Sequence, residues 1–172
     1  MIKYILQAKV LNKFRSNKPR GYYHWLKGHT GVDLDYIFEE LPTPVSGEVK
    51  AILRQPEMGN VVYIADKELG NVHVFAHLDK VYVKVGDQLP KNFVIGLTGN
   101  TGGKTTTPHL HYEVITFQKP SSRTPSIYDN LFSSLMTRKL GTFVGWNIDP
   151  IAYLRILYGK YRFNANGEYI KE

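Results

Sequence analysis

The side chains most capable of chemistry in this 172-residue chain are six histidines, His24, His29, His73, His77, His109 and His111, in a sequence without cysteine. His29-Thr30-Gly31-Val32-Asp33 has the spacing H-x-x-x-D, and His109-Leu110-His111 has the spacing H-x-H. Along a strand, residues i and i+2 share a face, so His109 and His111 would project side by side, about 6.6 Å apart along the backbone, with Leu110 turned into the core. His29 and Asp33 would lie about 13 Å apart in a straight strand. The chain must therefore bend between them, and Gly31 at the midpoint permits the bend and clears space. A helix would also bring them together, but Gly28, Gly31 and Val32 disfavour one. Neutral imidazole and carboxylate are good zinc ligands, and with no Cys a His/Asp set is the only ligand set on offer. A catalytic zinc keeps three protein ligands and one position for water, lowers that water's pKa to about 7 and polarises a carbonyl. Spacing alone leaves open which histidines bind a metal and which handle protons.

The elements that must position these residues read as β. Ile2, Tyr4, Leu6, Ala8 and Val10 alternate with polar residues, which predicts a half-buried strand over the first ten residues. Residues 12–28 are polar, aromatic and broken by Pro19, Gly21 and Gly28, predicting a long loop. From residue 44 short strands recur every 8–12 residues: Val45–Leu53, Val61–Ala65, Val72–Ala76, Val81–Val85, Phe93–Leu97 and His109–Thr116. The stretch Asp66–Asn71 forms a hairpin turn, and a Gly/Thr-rich loop runs through Thr107. This spacing argues for an antiparallel all-β sandwich or partly open barrel rather than βαβ units. Ile127, Leu131, Phe132, Leu135 and Met136 recur at helical spacing and predict one short helix near 127–140, ended by Gly141. Asn147–Pro150 opens a turn, and Ile151–Tyr158 is a helical or extended segment packing the end of the fold.

Composition bounds the function. A hydrophobic fraction of 42% in 172 residues supports one ordinary domain over 1–172 and excludes collagen-like, coiled-coil and acidic disordered classes. The lack of Cys excludes a disulfide scaffold and Cys-ligated metal sites. No apolar run approaches the ~20 residues of a membrane helix, so no membrane insertion is expected. The net charge of +7 arises in residues 1–32, which carry Lys3, Lys9, Lys13, Arg15, Lys18, Arg20 and Lys27 and no acidic residue. With Tyr22, Tyr23 and Trp25 this segment could meet a polyanion such as an acidic wall polymer, or serve as a solvated basic face. No nucleic-acid motif accompanies it, and no nucleic-acid partner is expected.

His29-Thr30-Gly31-Val32-Asp33-Leu34, His77-Leu78, Val83-Lys84-Val85-Gly86-Asp87, Val94 through Gly102 and Thr107-Pro108-His109-Leu110-His111-Tyr112-Glu113-Val114 follow in an order that resembles the lysostaphin-type (LytM-like) zinc endopeptidases. The likeness covers residues 28–116 and extends to a closing segment, 147–172, through Asp149-Pro150-Ile151-Ala152-Tyr153-Leu154. It implies a small antiparallel β fold of the hybrid-barrel type, one catalytic zinc, and hydrolysis of peptide bonds in peptidoglycan. It further implies His29, Asp33 and His111 as metal ligands and His109 and His77 as the non-ligand histidines that handle protons, with His109 favoured as the base. His73 matches no functional position of the family. It is counted on the same strand face as His77, with Phe75 between, and is read as a rim or substrate-wall residue. Three departures bear on substrate preference: the segment before His29 lacks a Phe-Gly-x-Arg element, Lys104 and three threonines lengthen the loop before Pro108, and residues 117–146 form an insertion.

Two other classes compete. An idle relative acting as a binding module would be expected to lose metal ligands, and all five positions are kept. A lipoyl- or biotinyl-type carrier would need an exposed lysine at a hairpin tip, and Lys67 in Ala65-Asp66-Lys67-Glu68 is a poor match. Action on the wall lies outside the cytoplasmic membrane, yet residues 1–9 make no secretory signal. A phage lysin or virion-mounted enzyme, with tail or other assembly partners, is one expectation this raises; an exported protein without its leader, or a fragment of a longer chain, is the other.

Overall fold

The computed structural model describes residues 3–14, 29–103, 107–117, 146–158, 161–163 and 169–171. The expected helix near 127–140, most of the basic loop with His24, and nearly all of the 117–146 insertion lie outside these. A 3-10 turn at Ile5–Gln7 leads into β1 (Val10–Asn12), β2 (Val32–Leu34), β3 (Glu40–Pro42), β4 (Gly47–Gln55), β5 (Gly59–Asp66), β6 (Val72–Val81), β7 (Gln88–Leu89), β8 (Val94–Thr98) and β9 (Leu110–Thr116). Then come β10 (Trp146–Ile148), the one helix of the described residues, α1 (Pro150–Leu157), and a separate pair, β11 (Tyr161–Phe163) and β12 (Tyr169–Lys171). The protein is mainly β and antiparallel, as its sequence implied.

The main sheet runs β1-β2-β9-β6-β5-β4-β7, with β10 also on β9, and β8 bridging β6 and β3. Alternation sorts its side chains onto two faces. Val62 and Ile64 of β5, Phe75 of β6, and Leu110, Tyr112 and Val114 of β9 join a large core with Leu34, Leu41, Ile95, Tyr153 and Leu154. Val61 and Tyr63, Val72, Val74 and Ala76, and Ile115 form a smaller cluster on the other face. His111 and Glu113 lie on that second face by register, because Ala76 pairs His111 and Val74 pairs Glu113.

β6 breaks its own alternation. Between Val62↔Phe75 and Asn60↔Leu78, three steps of β6 match two of β5, a bulge centred on His77, whose φ is +63°. The left-handed turn puts His77 beside Ala76 on the second face and returns Leu78 to the large core.

Elsewhere the sequence expectations shift for identifiable reasons. The alternating N-terminus is not one strand. The Tyr4 amide donates to Gln7 Oε1 and the Gln7 amide to the Tyr4 carbonyl, closing the 3-10 turn that buries Ile5. The run Val81–Val85 stops pairing at Val81, and a turn tied by Asp87 to the Lys84 amide leaves Val85 exposed. Residues 146–148 add a strand to β9 where a turn was expected. Ile151–Leu157 belongs to α1, whose first amides, Ile151 and Ala152, donate to Asp149 Oδ1 at 3.0 and 3.1 Å, with Pro150 at the first helical position.

Candidate metal centre

Two neighbouring strands build the centre. β2 pairs β9 with Asp33 opposite His111, and His29 precedes β2 across the bend at Gly31. That glycine lies flat on β9: a Cβ there would strike the Tyr112 carbonyl oxygen and come within 2.8 Å of Glu113 Cγ. The predicted bend is therefore also a close approach that no larger residue permits.

His29 Nε2, His111 Nδ1 and Asp33 Oδ1 form a triangle with edges of 3.1, 3.2 and 2.9 Å. Their chemistry tests whether a cation fits. His29 Nδ1 donates to the Lys13 carbonyl at 3.2 Å, leaving a lone pair on Nε2. His111 Nε2 donates to Glu113 Oε1 at 2.8 Å, leaving a lone pair on Nδ1. Asp33 Oδ2 accepts from Asn12 Nδ2 at 2.8 Å, so Oδ1 alone faces inward. Three acceptors thus converge on one point and need positive charge between them. Ligand atoms about a tetrahedral zinc with bonds of about 2.0–2.1 Å stand about 3.3 Å apart, close to the observed edges. Among the described residues this is the one grouping of His, Asp or Glu with that convergence.

The electrostatics agree. Burial pushes the His111 imidazole down, but its hydrogen bonds to Asp33 and Glu113 outweigh that and raise it to about 9. Burial pushes Asp33 up, yet the hydrogen bonds from His111 and His29 hold its carboxyl well below the usual range. Without a cation the triangle holds a proton, whose place a bound metal would take.

His77 and His109 stand beside the triangle on the same face. Their rings are 4.8 Å apart, and His77 is 6.0 Å from His111. Each has its tautomer set by a backbone carbonyl: His77 Nδ1 donates to Thr101 and His109 Nδ1 to Thr107, both at 2.8 Å. Both Nε2 atoms are left as acceptors, and that of His109 is 3.6 Å from Asp33 Oδ1. Burial, opposed by the Thr101 hydrogen bond, depresses His77 to about 4. Thr101 is itself fixed, its hydroxyl donating to the Leu78 carbonyl and accepting from the Asn60 amide.

His73 is not part of this group. It is fully buried on the opposite face, which corrects its reading as a rim or wall residue. The bulge at His77 breaks the alternation that would have put the two histidines on one face. His73 Nδ1 accepts from the Tyr112 hydroxyl at 2.7 Å, and its Nε2 donates to Asp66 Oδ2 at 3.2 Å.

The sequence reading missed the partners of the ligands. Glu113, fully buried, also accepts from the Thr30 hydroxyl and from Asn147 Nδ2 at 3.1 Å. Its position two residues beyond His111 on a strand was a usable signal; Asn12 and the Thr101 and Thr107 carbonyls left none.

A converging His/Asp acceptor set with two further imidazoles beside it, on an antiparallel sheet, has the donor chemistry of a metal site. The chain belongs to Peptidase family M23, whose description matches residues 27–123. It is 38% identical over 95 residues to the peptidoglycan DD-endopeptidase ShyA of Vibrio cholerae, covering 54% of this chain and 21% of that protein. Among solved structures it is similar to the catalytic domain of the antimicrobial peptidase lysostaphin from Staphylococcus simulans, with TM-score 0.55 and 28% identity over 66% of this chain and 84% of that one. It is also similar to a zinc containing peptidase from Vibrio cholerae, with TM-score 0.54 and 28% identity over 62% of this chain and 32% of that one. The chain spans 17–29% of the length of the first four curated relatives it matches.

Proposed function

We propose that this chain is a zinc-dependent endopeptidase that hydrolyses peptide cross-links or stem peptides of bacterial peptidoglycan. The observation that carries the reading is the triangle of lone pairs on His29 Nε2, Asp33 Oδ1 and His111 Nδ1, with two further acceptor nitrogens beside it. These three residues would hold the ion. Bound there, zinc would supply Lewis-acid polarisation of the scissile carbonyl and acidify a water. His77, kept neutral by burial, orients the attacking water by accepting a hydrogen at Nε2. His109, with Nδ1 held by the Thr107 carbonyl, takes the proton at Nε2 and returns it to the leaving amine. The kept ligand set gives no support to an idle binding module.

The test is incubation of the purified protein with sacculi of two cross-link types, with and without chelator, beside His111→Ala. New amino termini abolished by chelator and by the variant are expected, and mass analysis of the fragments names the bond. Intact sacculi of both types in the presence of zinc would overturn the reading.

A further inference from the structure

Two of the three triangle residues are held from outside the family-matched segment, by one short stretch of chain. β1 pairs β2 antiparallel, and the register shifts between Val10↔Leu34 and Asn12↔Asp33. That irregularity sets Asn12 across from Asp33, within 2.8 Å of Oδ2 through its Nδ2. The next residue, Lys13, offers its carbonyl to His29 Nδ1 at 3.2 Å. Both contacts come from residues 12 and 13, whereas the family match begins at residue 27.

We propose that Asn12 is a positioning residue of the metal centre, acting through Asp33, and that β1 serves as the centre's outer wall. The inference rests on the zinc reading above. Asp33 divides its two oxygens: Oδ1 faces His29, His111 and His109, while Oδ2 is occupied by Asn12. A carboxylate whose second oxygen is held by a donor presents one oxygen to the ion. Freed of that donor, it can rotate and offer both. The Lys13 carbonyl completes the arrangement by fixing the tautomer and plane of His29, as partners behind metal-binding histidines generally do.

Partners of this kind are worth 10- to 100-fold in metal affinity. Asn12 is solvent-exposed, so water competes for its hydrogen bond and the low end, about tenfold, applies.

The experiment compares native protein, Asn12→Ala and, as a control on the same strand, Leu11→Ala, whose side chain is exposed. Zinc affinity is read by competition with a chromophoric chelator, and the visible spectrum is recorded after substitution with cobalt. The expected result is about tenfold weaker zinc binding in Asn12→Ala. Its cobalt absorption should also weaken and shift, as Asp33 offers a second oxygen and the coordination number rises. Leu11→Ala should match the native protein in both readouts, and all three should share one urea midpoint. Native affinity and an unchanged cobalt spectrum in Asn12→Ala would overturn the proposal while leaving the zinc reading intact. Failure of the native protein to bind either metal would overturn both.

Discussion

Asp66 accepts five hydrogen bonds among the described residues, and its removal gives a large, readable effect. Oδ1 accepts the amides of Glu68, Leu69 and Gly70 at 3.1, 2.7 and 3.0 Å, closing the hairpin between β5 and β6. Oδ2 accepts the Tyr153 hydroxyl of α1 at 2.8 Å and His73 Nε2 at 3.2 Å. Asp66→Ala would free three turn amides, which reach water at little cost, and take the acceptor from two fully buried donors. Each such donor costs about 1–3 kcal/mol, so the expected loss is about 2–6 kcal/mol, reaching the far end of single substitutions. With an m-value of ~2 kcal/mol/M, the urea midpoint should fall by about 1–3 M. Asp66→Asn keeps Oδ1 for the turn. His73 can switch tautomer and the tyrosine hydroxyls can reverse, so about 1–2 kcal/mol is expected. Urea melts followed by circular dichroism measure both. A loss below about 1 kcal/mol in Asp66→Ala would refute the claim that this network holds α1 to the sheet.

The same network sets an acid limit. Burial, opposed by Asp66, depresses the His73 imidazole below its ordinary value, and Asp66 is itself held low by its donors. At these groups the unfolded chain therefore binds more protons, so this network's contribution to stability is full above about pH 6.5 and declines as pH falls below it; urea midpoints that stay flat from pH 7 to 5 would contradict this. Asp66→Ala removes the group that supports His73 protonation, so its decline should extend to lower pH. His109→Ala should lower kcat on a cross-linked peptide by about 10²- to 10⁴-fold while keeping its zinc, whereas His111→Ala should lose the metal as well, both checked by atomic emission. Gly31→Ala should cost about 3 kcal/mol by forcing β2 from β9 and should weaken zinc binding in parallel.

Legibility in the sequence followed the regularity of the backbone. His109-Leu110-His111 could be placed because β9 keeps its alternation from Leu110 to Thr116, and Leu110 is indeed buried between them. The bend at Gly31 was legible for a similar reason, since no straight conformation brings residues 29 and 33 together. His73 was misplaced because the irregularity that separates it from His77 sits on His77 itself. A histidine in the left-handed region carries no glycine or asparagine to announce it. The three-residue strands β1, β2, β3 and β10 are too short to show alternation; tertiary pairing makes them, and Asn12, Asp33 and Asn147 reach the site through that pairing. The first ten residues had the right pattern for a strand, but Gln7 offered the Tyr4 amide a local partner and the turn prevailed.

The central claim is that one ion held by His29, Asp33 and His111 is required for peptide-bond hydrolysis in peptidoglycan. Its most direct test is to strip the protein with chelator and restore zinc stepwise, measuring release of amino termini from sacculi at each addition. No release is expected from the stripped protein, and release should then rise and level at one zinc per chain. Full release by metal-free protein, or a zinc-restored protein that leaves the sacculi uncut, would contradict it.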